Sequence, residues 1–184
     1  MGFGSGGLGI DQSFKADRFI KTYYYYNANV QTQALNQYRV ALAAFAVPRL
    51  LSIDQMSVNP YSASPAGNWR MCIYRDNGDT PKGGQLLYNS GPFATPASNP
   101  AAPVSISPSL LLSPGQYWAG IQTDISAGAQ YSAAIMTNYL LLGPFNGCYY
   151  DPSPSIFNLT NPCPAVTTDI LHCPEATFRV ATSY

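Results

Sequence analysis

Apolar residues in the middle of this chain recur with a period of two, in runs too short for helices. Between Ala43 and Gln122 the sequence reads AAFAVPRLLSIDQMSV (43–58), NWRMCIYRDNGDTP (68–81), GQLLYNSGPF (84–93), VSISPSL (104–110) and LLLSPGQYWAGIQ (110–122). Side chains alternate across a strand, so Trp69, Met71 and Ile73 share one face and Arg70, Cys72 and Tyr74 the other. In the last segment Tyr117, Ala119 and Ile121 oppose Trp118, Gly120 and Gln122, and parity leaves open which set meets the core. After Pro48 the phase changes, with Leu51 and Ile53 odd but Met56 and Val58 even. One extra residue near Asp54-Gln55, a β-bulge, keeps all four on a buried face. The pattern predicts one antiparallel β-sandwich.

Turn chemistry separates these runs. Asp76-Asn77-Gly78-Asp79 tolerates positive φ and reverses the chain, and Pro81 with Gly83-Gly84 extends that loop before Leu86-Leu87-Tyr88 resumes. Pro114-Gly115 fits the centre of a type II turn that launches Gln116 to Gln122 as the next strand. Residues 33–47, QALNQYRVALAAFAV, suit either a short helix or a strand; the alternation of Tyr38, Val40, Leu42 and Ala44 decides for strand, and Pro48 ends it. The last third adds IMTNYLLLG (135–143) and ATFRVA (176–181) around a loop containing Pro and Cys. Residues 1–34 read as an N-terminal arm: four Gly in the first seven positions, then Phe14, Phe19, Ile20 and the run Tyr23, Tyr24, Tyr25, Tyr26. The competing reading is an edge strand of the same sandwich, since Tyr favours strands. Residues 35–184 form the sandwich domain.

Composition sharpens this picture. The 184 residues suffice for one all-β domain, and 16 Pro and 15 Gly argue against long helices. Only 10% of residues are charged, against about 25% in typical soluble domains. Nine basic and nine acidic residues cancel, so no general attraction to nucleic acid is expected. Fourteen Tyr on a neutral surface suit protein or sugar contacts. No run approaches the roughly 20 apolar residues of a membrane-spanning helix. The N-terminus, MGFGSGGLGIDQ, lacks a basic flank and apolar run of the signal-peptide kind, and Gly6 stands where myristoylation wants Ser or Thr.

Candidate chemistry is sparse. Cys148, Cys163 and Cys173 fall in one segment with His172, but without a C-x2-C pair; packed thiols, or a disulfide closing the loop in an oxidising exterior, outrank a metal site. Cys72, mid-strand, reads as a small hydrophobe. His172 is the only histidine and stands beside no nucleophile signature, so the expectation is a structural histidine and no enzyme. The Asp76 to Asp79 run lacks the closing Glu of a calcium loop and reads as a turn. Asn158-Leu159-Thr160 fits the glycosylation sequon, which carries little without a secretory signal. Tyr149 and Tyr150, next to Cys148, are possible glycan contacts, or ordinary subunit contacts.

The ordered series AVPR, LLSIDQMSV, RMCIYRDNGDTP, GQLLYNSGPF and LLLSPGQYWAGI resembles the jelly-roll modules of tailed bacteriophages, found at the tips of tailspikes and fibres and as capsid decoration, or cement, proteins of the short-tailed cyanophage type. The resemblance covers about 80 residues, and IYRDNGDTP followed by SPGQYW is its most specific part. Asp79, where a second Gly is frequent, and the Cys-bearing C-terminal loop depart from the pattern. The resemblance implies a jelly roll, commonly a homotrimer, with no cofactor. A tip module normally follows a large shaft, and here a short glycine-rich arm precedes the sandwich. The expected role is therefore a cement protein on the outer capsid surface of the virion, bridging major capsid protein subunits, with Phe14, Phe19 and Tyr23 to Tyr26 clamping shell or neighbouring protomers. A receptor- or carbohydrate-binding tip that holds a host surface glycan is the alternative, and a polysaccharide-cleaving enzyme the third and weakest. No nucleic-acid or membrane partner is expected.

Overall fold

The computed structural model describes residues 19–21, 29–58, 60, 64–78, 80–97, 103–135, 147–152, 155–168, 173–174 and 176–183, and among them every regular element is a β-strand. In chain order these are β1 (Phe19–Lys21), β2 (Asn29–Ala34), β3 (Val40–Val47), β4 (Leu51–Val58), β5 (Asn68–Arg75), β6 (Leu86–Asn89), β7 (Phe93–Ala94), β8 (Val104–Leu112), β9 (Gly115–Thr123), β10 (Gln130–Ile135), β11 (Gly147–Tyr150), β12 (Thr167–Thr168), β13 (Cys173–Pro174) and β14 (Ala176–Ser183). They build a four-stranded sheet in the order β1-β14-β4-β8, a three-stranded sheet β13-β10-β2, and a large sheet β12-β11-β3-β9-β5-β6, with β7 also on β5. The pairings within all three sheets are antiparallel.

Between residues 40 and 123 the chain passes repeatedly from one main sheet to the other: β3 lies in the large sheet, β4 in the four-stranded one, β5 to β7 in the large, β8 in the four-stranded and β9 in the large. Strands that cross in this way bury a common interior, where Phe45, Ile53, Met56, Trp69, Met71, Ile73, Ile121 and Phe178 meet. The alternation in β5 is as expected from sequence, with Trp69, Met71 and Ile73 facing this interior. So are the reversals: β5 and β6 pair as a hairpin around Gly78, whose φ is +80°. The Ser113 to Gly115 turn carries the chain between sheets, from β8 to β9.

The phase change after Pro48 is a bulge. Ile53 and Gln55 pair with consecutive positions of β14, Val180 and Arg179, which leaves Asp54 as the extra residue. Leu51, Ile53 and Met56 are all fully buried as a result.

Residues 33–47 contain two strands and not one. Leu35 to Arg39 form a tight corner in which Tyr38 takes φ +64° and its N–H donates to Thr123 O at 2.7 Å. Within residues 1–34, Phe19–Lys21 is an edge strand on β14 and Asn29–Ala34 an edge strand on β10, so the edge-strand reading describes these two stretches.

Candidate functional site

The large sheet is apolar on both faces, a property that follows from its central strands. In VALAAFAV and in the second half of NWRMCIYR nearly every position is buried, irrespective of parity. The face turned away from the four-stranded sheet carries a second cluster of Val40, Leu42, Cys72, Tyr74, Trp118, Cys148 and Tyr150, completed by Leu159 and Cys163. Those last two residues belong to a strap, residues 155–166, that has no regular structure.

A strap without strand partners must satisfy its backbone by other means. At one end Cys163 exchanges hydrogen bonds with the β5–β6 loop: its N–H donates to Gly84 O at 2.9 Å and its carbonyl accepts from Gly83 N at 2.8 Å. Asn161 Oδ1 accepts from Leu86 N at 3.0 Å. In the middle, the Tyr74 hydroxyl donates to Thr160 O at 2.7 Å. Its single hydrogen is thereby used, so in the 2.8 Å contact between the phenols Tyr150 is the donor and Tyr74 the acceptor. Thr160 N closes the ring on Tyr150 Oη at 3.4 Å. At the other end the Gln122 amide donates to Tyr38 O, Ile156 O and Asn158 O at 2.8, 3.1 and 3.3 Å. Arg70 lies opposite Gln122 in register, donates to Asn158 Oδ1 at 3.3 Å, and holds its guanidinium 4.8 Å from the Phe157 ring centre. Gln122 Oε1 and Arg70 Nε are buried without a protein partner, an acceptor and a donor on neighbouring strands.

Burial fixes the protonation of this layer. It pushes the Tyr74 and Tyr150 phenols well up, raises the Cys72 thiol, and raises Cys163 to about 12. At neutral pH all four are protonated, and a thiol so poised holds almost no thiolate with which to attack or ligate. Arg70 is lowered by the same desolvation.

The sequence-derived site residues are scattered by this arrangement. Tyr150 is corrected from glycan contact to core: it is 2% exposed and its hydroxyl is engaged by Tyr74. Tyr149, of opposite parity, is half-buried, and the Arg39 guanidinium covers one ring face at 3.9 Å while bonding both carboxylate oxygens of Asp151 at 2.8 Å. Cys148 and Cys163 share the second core, whereas Cys173 sits in β13 against β10; all are buried thiols outside any disulfide. Among the described residues no three His, Cys, Asp or Glu side chains are grouped to hold a metal ion. The backbone of Phe19 pairs with Arg179 in β1; Phe14, Tyr23, Tyr24, Tyr25, Tyr26 and His172 lie outside the described residues. The strap and its floor were missed from sequence, although apolar residues at both parities of VALAAFAV and RMCIY signal a sheet covered twice. No helix among the described residues is long and apolar enough to cross a membrane.

A comparison with protein-family models finds no match for this chain, and a comparison with curated proteins finds no relative.

Proposed function

We propose that this chain is a virion structural protein, a capsid decoration or cement protein that binds the outer capsid surface and stabilises the shell. The reading rests on the resemblance of the series from AVPR to LLLSPGQYWAGI to jelly-roll modules of tailed bacteriophages. One observation supports it above the others: most of the residues in that series are strands of two facing sheets, joined by the turns those motifs contain. The polar chemistry of the described residues is compatible with that role, since the Tyr74 and Tyr150 phenols and the Gln122 amide of the outer layer are spent holding the strap. Such a protein acts by adhesion, as a homotrimer over major capsid protein, and needs no cofactor. In this reading Phe14, Phe19 and Tyr23 to Tyr26 provide the contact energy, because aromatic side chains dominate interfaces of this type.

The test is co-sedimentation with phage shells stripped of decoration. The intact chain is expected to saturate a fixed number of shell sites, and a chain carrying Phe14→Ser with Tyr23→Ser, Tyr24→Ser, Tyr25→Ser and Tyr26→Ser, which leaves β1 in place, to lose occupancy while keeping its sandwich by circular dichroism. Absence of shell binding by the intact chain, together with retention on glycans, would replace this role with that of a fibre or spike tip.

A further inference from the structure

Asn77 and Gly78 stand exposed in the loop joining β5 and β6. Gly78 has φ +80°, and nothing lies within 4 Å of where its Cβ would be. An asparagine followed by an unhindered glycine holds an electrophile and a nucleophile four bonds apart, so that joining them closes a five-membered ring: the side-chain carbonyl of the first and the main-chain nitrogen of the second. We propose that Asn77 is a site of spontaneous deamidation, and that the Asp76 carboxylate is the latch that sets its rate.

The reaction needs only water. A water or hydroxide takes the proton of the Gly78 amide, its nitrogen bonds to Asn77 Cγ, and the Cγ–Nδ2 bond breaks to release ammonia. Water then opens the resulting five-membered succinimide. Cleavage of the new N–Cγ bond gives aspartate, and cleavage at the original main-chain carbonyl gives isoaspartate with one more methylene in the backbone.

Two hydrogen bonds oppose the first steps. Gly78 N donates to Asp76 Oδ2 at 3.1 Å, which fixes the nitrogen and places an anion where loss of a proton would create another. Asn77 Nδ2 donates to Lys82 O at 3.1 Å, so the leaving group is held as well. The latch is anchored in the core, because Asp76 Oδ1 accepts from Trp118 Nε1 at 2.6 Å. The chain's other Asn-Gly pair, Asn146-Gly147, provides a contrast at its glycine: Gly147 is buried in β11 and pairs with Ala43, whereas Gly78 is exposed in a loop. Modification at Asn77 would carry to the strap, since the product carboxylate faces Lys82 O and the same loop supplies the Gly83 and Gly84 groups that hold Cys163.

The experiment is prolonged incubation of the intact protein at neutral pH, followed by peptide mapping for the mass gain of amide-to-acid conversion and by enzymatic methylation of isoaspartate. The modified fraction is expected to concentrate in the Asn77 peptide over the Asn146 peptide, to rise several-fold in Asp76→Ala, and to vanish from that peptide in Asn77→Gln. Should Asp76→Ala fail to fold, Asp76→Ser, which removes the carboxylate beside Gly78 N, carries the same expectation. Equal rates in wild type and the folded Asp76 variant, or faster conversion at Asn146, would overturn the proposal.

Discussion

The two faces of β3, β9 and β5 are closed by different physics. Towards the four-stranded sheet the closure is apolar side chains packed on apolar side chains, with Phe45 stacked on Phe178 at 4.5 Å and Trp69, Met71 and Ile73 fully buried. Towards the strap the floor is as apolar, but the cover is irregular chain whose carbonyls are bonded by Tyr74 and Gln122 reaching up from the strands. Burial supplies most of the stability in the first case. In the second, directional bonds fix one position for a segment that has no ladder to do so, each part-buried bond contributing about 0.5–1.5 kcal/mol. The difference teaches that a sheet face can be sealed without a second sheet when its side chains supply the missing partners.

The largest effect that separates the faces is expected from Phe178→Ala, which empties the inner side. A loss of about 3–5 kcal/mol should appear as a lower urea midpoint. Gly120→Ala comes next, on the outer side: a Cβ there would stand 2.5 Å from Leu42 Cδ2, 2.8 Å from Ala41 O and 2.9 Å from Cys72 Sγ. One of those neighbours is backbone, so relief requires strand movement and a loss of about 1–3 kcal/mol. If Phe178→Ala exposed the Cys163 thiol under native conditions as readily as a strap variant does, the two faces would be one cooperative unit and the comparison would break.

Tyr74→Phe is the strap variant, because it keeps the ring and removes the hydroxyl that serves Thr160 and Tyr150. It leaves the buried Tyr150 hydroxyl and the part-buried Thr160 carbonyl short of a partner, at a cost of about 1–3 kcal/mol. Labelling of Cys163 by a thiol reagent should accelerate before global unfolding begins; unchanged labelling would show that the apolar contacts of Leu159 and Cys163 suffice. Alkaline pH sharpens the same distinction. Tyr74, Tyr150, Cys72 and Cys163 all have raised folded values, so their neutral forms stabilise the fold. That contribution is complete below the unfolded values, about 8.5 for a thiol and about 10 for a phenol, and is lost as pH rises beyond them. For Cys163 the decline runs up to about 12. Thiol labelling and Tyr ionisation followed together should find the strap side opening first.

The inner face was legible in the sequence because it obeys period two. Trp69, Met71 and Ile73 announce it, and the parity slip between Ile53 and Met56 locates the bulge at Asp54. The outer face was not, because its cover has no period: Leu159 and Cys163 are the only deeply buried apolar anchors in the strap, four residues apart in irregular chain. Tyr150 was misread for the same reason, since next to a cysteine in an apparent loop it looks like surface, and only the pairing of β11 with β3 turns it inward. Leu35 to Arg39 read as strand because Tyr38 keeps the alternation of Val40 and Leu42, while the corner is made by backbone bonds to Thr123 and Ala129 that a local pattern does not carry.

The smallest effect concerns the Asp54 bulge on the four-stranded sheet, where Arg179 bonds both carboxylate oxygens at 2.8 and 2.6 Å. That hydrogen bonding, against the opposing effect of burial, holds the Asp54 carboxyl below its ordinary value. The pair therefore stabilises the fold above the unfolded value of about 3.9, and the contribution is lost as pH falls through the lower folded value. Its partners are 36% and 27% exposed, so solvent screening limits Asp54→Asn to about 0.2–1 kcal/mol at neutral pH. The difference in urea midpoint between Asp54→Asn and wild type should close in acid. Burial of Leu51, Ile53 and Met56 sets the register of β4, so the bulge should survive the substitution with its amide exchange pattern intact. A register shift in Asp54→Asn would mean that the ion pair, and not the buried side chains, holds the extra residue in place.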